Sequence, residues 1–206
     1  MADRLPAWGD RRRMRVGLLG GSFNPAHPGH LHVAQLALAR LGLDQVWLMV
    51  SPGNPLKPAL GMMPMIDRLA SARAAIGRAR EARRVVATGI EAALGTRYTV
   101  DTLRVLCRRF PRTDFVWLMG ADNLVQLPAW RQWLDIMRLM PVAVLPRPGY
   151  NHRALAGHVA RRFAGARLPA RAERSLALSP APAWMFLPAP QHAASATQIR
   201  AAAGSA

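Results

Sequence analysis

Met14-Arg15-Val16-Gly17-Leu18-Leu19-Gly20-Gly21-Ser22-Phe23-Asn24-Pro25-Ala26-His27-Pro28-Gly29-His30 is the stretch on which the reading of this chain turns. Its first six residues form an apolar run bounded by glycines, the pattern of a buried β-strand. Beyond the loop, Leu31, Ala34, Leu38 and Leu41 recur on one face, so a helix is expected from about Gly29 to Leu41. Gly20 and Gly21 are expected to let the backbone turn sharply and come close to a ligand. The helix start that follows offers free N–H groups and the positive end of a dipole, a natural seat for an anion. His27 and His30 put two imidazoles beside that seat, and with His32 half of the six histidines fall within six residues. A plainer alternative is a strand–helix turn with surface or capping histidines. Against it stands the combination of a strand, Gly-Gly-Ser-Phe and His-x-Gly-His at one helix start, which is more specific than any part of it. No third ligand lies nearby, so the histidines are not expected to hold a metal, and His32 receives no role.

Working outward, further strands are expected at Gln45–Val50, 84–88, 114–119, 141–145 and 184–187. Helices are expected at about 65–80, 98–110, 127–140 and 153–163, with a last one from Ser195. A Pro/Gly-rich loop runs from Ser51 to Pro64. Alternation of strands and helices implies an α/β fold: a single Rossmann-like, doubly wound domain with a mainly parallel sheet, covering residues 14–200. Residues 1–13 and 201–206 read as loose tails. In such sheets ligands bind at the carboxyl ends of the strands, at the switch point, so the loop after the first strand is the first place to look for function.

Composition narrows the classes. The hydrophobic fraction of 51% suits a globular chain. No apolar run approaches the roughly 18–20 residues that cross a bilayer. Arg11–Arg13 before Val16–Leu19 imitates a signal peptide, but the apolar part is too short and no cleavage site follows, so a cytoplasmic location is expected. Basic residues outnumber acidic ones 28 to 11, a net charge of +17 that welcomes anions. Most arginines are scattered singly or in pairs, so compositional drift accounts for the charge as well as a nucleic-acid partner does. Lys57 is the only lysine, a compact ammonium retained where arginine is used everywhere else. Cys107 is the only cysteine and reads as a small buried core residue, leaving no intrachain disulfide or cysteine-based zinc site. Met62, Met63 and Met65 read as adaptable loop packing, Trp133 as core, and His152 and His158 as surface residues.

The opening loop, with later motifs in order, resembles the bacterial nicotinate-nucleotide adenylyltransferases of the nucleotidylyltransferase superfamily. Those motifs are Pro55-Leu56-Lys57-Pro58, Tyr98-Thr99-Val100-Asp101-Thr102-Leu103, Gly120-Ala121-Asp122-Asn123, Trp130 with Trp133, Arg147-Pro148-Gly149 and Ser195-x-Thr197-x-Ile199-Arg200. The resemblance implies that His27, His30 and Lys57 are catalytic, binding ATP phosphates and stabilising the transferred one. Gly20, Gly21, Ser22 and Phe23 belong to the same ATP site. It implies ribose contacts at Gly120 and Asp122, a basic contact near adenine at Arg147, and β,γ-phosphate contacts at Ser195, Thr197 and Arg200. Ser195-Ala196-Thr197-Gln198 is also a capping-box pattern, which puts a helix start at that anion site by local chemistry alone. Thr99 and Trp130 match positions that hold the nicotinate ring and its carboxylate. Asn24 and Ala196 depart from the aspartate and serine often found at their places, and the chain ends soon after Arg200.

The reaction so implied joins AMP from ATP to nicotinate mononucleotide by direct in-line attack, giving deamido-NAD and pyrophosphate. Mg²⁺ is the expected cofactor, bound mainly through ATP phosphates and water. The expected partners are the two nucleotides, with neither nucleic acid nor membrane, in a monomer or homo-oligomer. The nearest rival is an adenylyltransferase for nicotinamide mononucleotide or pantetheine phosphate. An arginine-rich nucleic-acid-binding protein would instead bind with strong salt dependence and no need for His30. A class I aminoacyl-tRNA ligase fragment shares the histidine motif but has no Lys-Met-Ser-Lys-Ser loop here.

Overall fold

A computed structural model of the chain describes residues 12–53, 61–79 and 82–190. The expectations placed on Lys57, Ser195, Thr197, Arg200, the helix from Ser195, and most of the two tails lie outside these residues. Six parallel strands form one sheet: β1 (Met14–Gly21), β2 (Gln45–Val50), β3 (Val85–Thr88), β4 (Thr113–Gly120), β5 (Val142–Leu145) and β6 (Trp184–Phe186). Their order is β3-β2-β1-β4-β5-β6, the doubly wound arrangement whose switch point lies between β1 and β4.

The strands read as continuous apolar runs because both faces of the sheet are covered. Side chains alternate between two cores. Leu18, Trp47, Met49, Trp117 and Val142 enter one, while Leu19, Leu48, Val116, Leu118 and Ala143 enter the other. Helix α4 (Thr99–Arg109) sends Leu103 and Leu106 into the first core, and α1 (Pro28–Arg40) sends Ala34, Ala37 and Leu38 into the second. The edge strand is tied in by Trp184, whose indole N–H donates to Phe163 O at 2.8 Å.

Several expected helices differ in detail. The run expected at 127–140 is a 3₁₀ turn at Leu127–Ala129 followed by a helix at Trp133–Leu139, because Pro128 and the left-handed Gln132 (φ 49°) interrupt the periodicity. The run expected at 153–163 divides into Asn151–Leu155 and His158–Arg162, with Gly157 pressed to within 2.8 Å of Arg153 O by its notional Cβ. Two short helices, α3 (Ile90–Ala93) and α5 (Ala121–Gln126), lie outside the expected runs. Helix α2 (Met65–Gly77) begins at Met65, which therefore belongs to the helix rather than to the loop before it. Cys107 is half-buried against the first core, where burial raises its thiol pKa; a core cysteine is borne out only in part. His152 and His158 are exposed, although the His158 ring meets Trp133 edge-on at 5.6 Å.

Candidate active site

A cleft of about 420 Å³ opens at the carboxyl ends of β1 and β4, at the switch point. Gly20, Gly21, Ser22, Phe23, His27, His30, Thr99, Gly120, Asp122, Trp130 and Arg147 all line it. Residues separated by more than a hundred positions in sequence thus converge on one space.

The glycines act differently from expectation. Gly20 and Gly21 are the extended end of β1 and make no turn. A Cβ on Gly20 would lie 2.7 Å from the Trp117 indole, so glycine there admits a buried tryptophan from β4. The sharp turn is made by Phe23, at φ 47°, in the left-handed region that non-glycine residues rarely occupy. Gly120 allows another close approach: the Asp122 carboxylate folds back onto the place a Cβ would occupy.

His27 caps α1 from an extended backbone, and Pro28 opens the helix without losing a needed donor. The His27 and His30 rings lie 3.8 Å apart, and Phe23 packs 4.7 Å from His30. The His27 backbone N–H donates to His30 Nδ1 at 3.2 Å. Burial first, then the neighbouring His27 and Arg147, drives the His30 pKa down to about 3. The ring is therefore neutral, and with Nδ1 accepting, its proton resides on Nε2.

Trp130 meets Trp117 edge-on at 6.5 Å, leaving the cleft with a two-indole wall. Thr99 stands at the first position of α4. Tyr98 beside it carries Arg131 at 4.7 Å and Arg97 at 5.8 Å over its ring. Asn24 spends both ends of its amide on the backbone: Nδ2 donates to Gly61 O at 3.0 Å, and Oδ1 accepts from Met63 N at 3.2 Å. An aspartate could make only the second bond. The His32 ring contacts Pro190 O at 2.9 Å, at the rim of a separate small recess.

Glu91, Trp117 and Arg68 are among the residues in or behind the cleft that the sequence does not single out. Glu91 lines it from a buried position, and desolvation raises its pKa to about 7, so it stays largely uncharged in mildly acidic solution. Trp117 sits in an apolar run that marks it only as a strand residue. Arg68, 1% exposed, lies behind the Ser22 loop on a stripe with Ala72 and Ile76. That i, i+4, i+8 spacing was visible in sequence, but an arginine on it reads as solvated. Among the described residues no group of three His, Cys, Asp or Glu side chains could hold a metal ion. Imidazoles, an arginine and helix-end amides suit anions.

The cytidylyltransferase-like family profile matches residues 18–202. A protein of Gluconacetobacter diazotrophicus named probable nicotinate-nucleotide adenylyltransferase is 58% identical over 97% of this chain and 91% of its own length. One of the same name from Gluconobacter oxydans is 55% identical over 91% and 94%. The chain belongs to the nicotinate-nucleotide adenylyltransferase family. As a member it is an enzyme, a nucleotidyltransferase. Among solved structures, Plasmodium falciparum nicotinic acid mononucleotide adenylyltransferase complexed with NaAD superposes with a TM-score of 0.69. It covers 92% of this chain and 83% of its own at 13% identity, so it supports the fold. No helix of the described residues is long and apolar enough to cross a membrane.

Proposed function

We propose that this nicotinate-nucleotide adenylyltransferase family member transfers the adenylyl group of ATP to nicotinate mononucleotide, releasing pyrophosphate and forming deamido-NAD in NAD biosynthesis. The observation that carries the reading is the pair of His27 and His30 rings, 3.8 Å apart at the start of α1, in a cleft that also contains Thr99 and Trp130. An oxygen of the acceptor's 5′-phosphate forms a bond to the α-phosphorus of ATP. The bond from that phosphorus to the β-bridging oxygen breaks, and pyrophosphate leaves with the electron pair. The attacking phosphate is already an anion, so no general base or covalent intermediate is needed. Catalysis then reduces to alignment and charge stabilisation.

His30 Nε2–H donates to the transferred phosphate, with His27 and the α1 amides beside it. Asp122 accepts the ATP ribose hydroxyls in front of Gly120, and Arg147 holds the adenine side. Trp130 stacks on the pyridinium ring, and Thr99 meets its carboxylate. Lys57, Ser195, Thr197 and Arg200 are assigned to the phosphates on family resemblance. Magnesium supplies positive charge to the phosphates when bound, and the protein holds it indirectly through the residues that hold ATP. A cytoplasmic location and partners limited to the two nucleotides accord with this chemistry.

The test is pyrophosphate release with ATP and Mg²⁺, run in parallel with nicotinate mononucleotide, nicotinamide mononucleotide and pantetheine phosphate. The expected order puts the nicotinate acceptor first. Preference for another acceptor reassigns the substrate, and no release with any of them overturns the reading.

A further inference from the structure

Arg68 makes four hydrogen bonds, all to backbone carbonyls. Nε donates to Met63 O at 2.9 Å, Nη1 to Ser22 O at 2.6 Å and to Ser51 O at 2.9 Å, and Nη2 to Pro52 O at 3.4 Å. It is 1% exposed, and no carboxylate among the described residues pairs with it. A buried guanidinium spent wholly on main chain is an expensive way to fill space, because a charge leaves water without meeting an opposite one. Its planar fork, however, can hold several carbonyls at fixed angles, which an ammonium cannot.

The carbonyls it holds decide how the loop after β1 points. Ser22 O is drawn back toward the interior, and in a planar trans peptide the N–H of the next residue points the opposite way. The next residue is Phe23, held at φ 47°, on the lining of the cleft. Among the described residues no acceptor takes the Phe23 N–H. Alongside, Ser51 N–H donates to Gly21 O at 2.9 Å, turning the preceding carbonyl in the same manner. Ser51 O in turn accepts from Arg68, so one side chain braces both peptides.

We propose that Arg68 is a positioning residue that locks the Ser22–Phe23 peptide so that its N–H faces the phosphates of the nucleotide. This rests on the adenylyltransferase reading above. Arg68 touches no substrate; it acts through the loop. A loosened loop still binds the nucleotide by its other contacts but loses a donor preorganised for the transition state, so the loss falls on kcat.

Arg68→Lys keeps the charge without the fork, Arg68→Gln keeps two N–H donors without the charge, and Ile136→Val, in the core that does not contain Phe23, serves as a stability control. Steady-state kcat and KM are measured for ATP and for nicotinate mononucleotide, at a temperature below every Tm. The expected result for both Arg68 variants is a kcat lowered about tenfold or more, with KM for the acceptor within about twofold, since losing such a donor outright costs about 10²–10³. Ile136→Val is expected to lower Tm without changing kcat. Folded Arg68 variants with wild-type kcat overturn the proposal, as does a loss of kcat that merely tracks Tm in all three variants. A wild-type protein that forms no dinucleotide overturns the adenylyltransferase reading itself, and the role of Arg68 falls with it.

Discussion

The His30 ring is oriented by one hydrogen bond from the start of its own helix. Because the His27 N–H occupies Nδ1 and the ring's pKa lies near 3, the imidazole is neutral with its proton on the other nitrogen. Its ring resonances in the free protein are therefore expected to stay constant between pH 5 and 8 by NMR. A midpoint near 6.5 would mean that the ring is not desolvated as described. Replacing His30 by alanine is expected to lower kcat by about 10²–10³, the usual cost of one preorganised donor, and single-turnover kinetics checks that the loss is in chemistry. The clustering of His27 and His30 was legible in sequence because their spacing and the helix start are local facts. Their protonation was not, since it depends on burial and on Arg147, more than a hundred residues away. Arg68 stayed hidden for the same reason: nothing in its neighbours says that it reaches Ser22 rather than solvent.

At the scale of elements, β1 and β4 meet through Gly20 and Trp117. Gly20→Ala is expected to destabilise by about 1–3 kcal/mol, the usual cost of overpacking, measured by urea unfolding. Trp117→Phe in the same chain is expected to recover part of that loss. Additive effects of the two substitutions would contradict the contact. The six strands were readable as apolar runs between breakers, and their parallel order followed from the intervening helices. What sequence could not convey was where helices break. Gln132 in the left-handed region and the short helix at Ala121–Gln126 answer to tertiary placement rather than propensity, and they set Trp130 and Asp122 at the cleft. The double glycine misled in an instructive way. It reads as a turn, yet its first member makes room for a side chain from the neighbouring strand.

Across the whole molecule, two buried titrating groups share the cleft and oppose each other in their effect on stability. His30 takes up a proton near 6.5 when unfolded but only near 3 when folded, so its contribution is full above 6.5 and is lost as pH falls through that window. Glu91 ionises near 4.5 unfolded and near 7 folded, so its contribution is full below 4.5 and is lost as pH rises toward 7. Between 4.5 and 6.5 the slopes oppose. Removing one should expose the other: the stability of Glu91→Gln relative to wild type is expected to rise by about 1–2 kcal/mol from pH 5 to 6.5, and a flat difference would refute the buried carboxyl. The net charge of +17 suits the two polyanions proposed as partners, although charge alone does not select them. The central claim is that a neutral imidazole and helix-end amides hold the α-phosphate of ATP for attack by a second nucleotide's phosphate. It is tested most directly by a single turnover of ATP labelled at the α-phosphorus with excess nicotinate mononucleotide and Mg²⁺. The account predicts that label passes in one step into a dinucleotide, with no labelled protein, and that His30→Ala slows this step at unchanged stoichiometry. Label on the protein, or no dinucleotide from well-folded wild type, would contradict it.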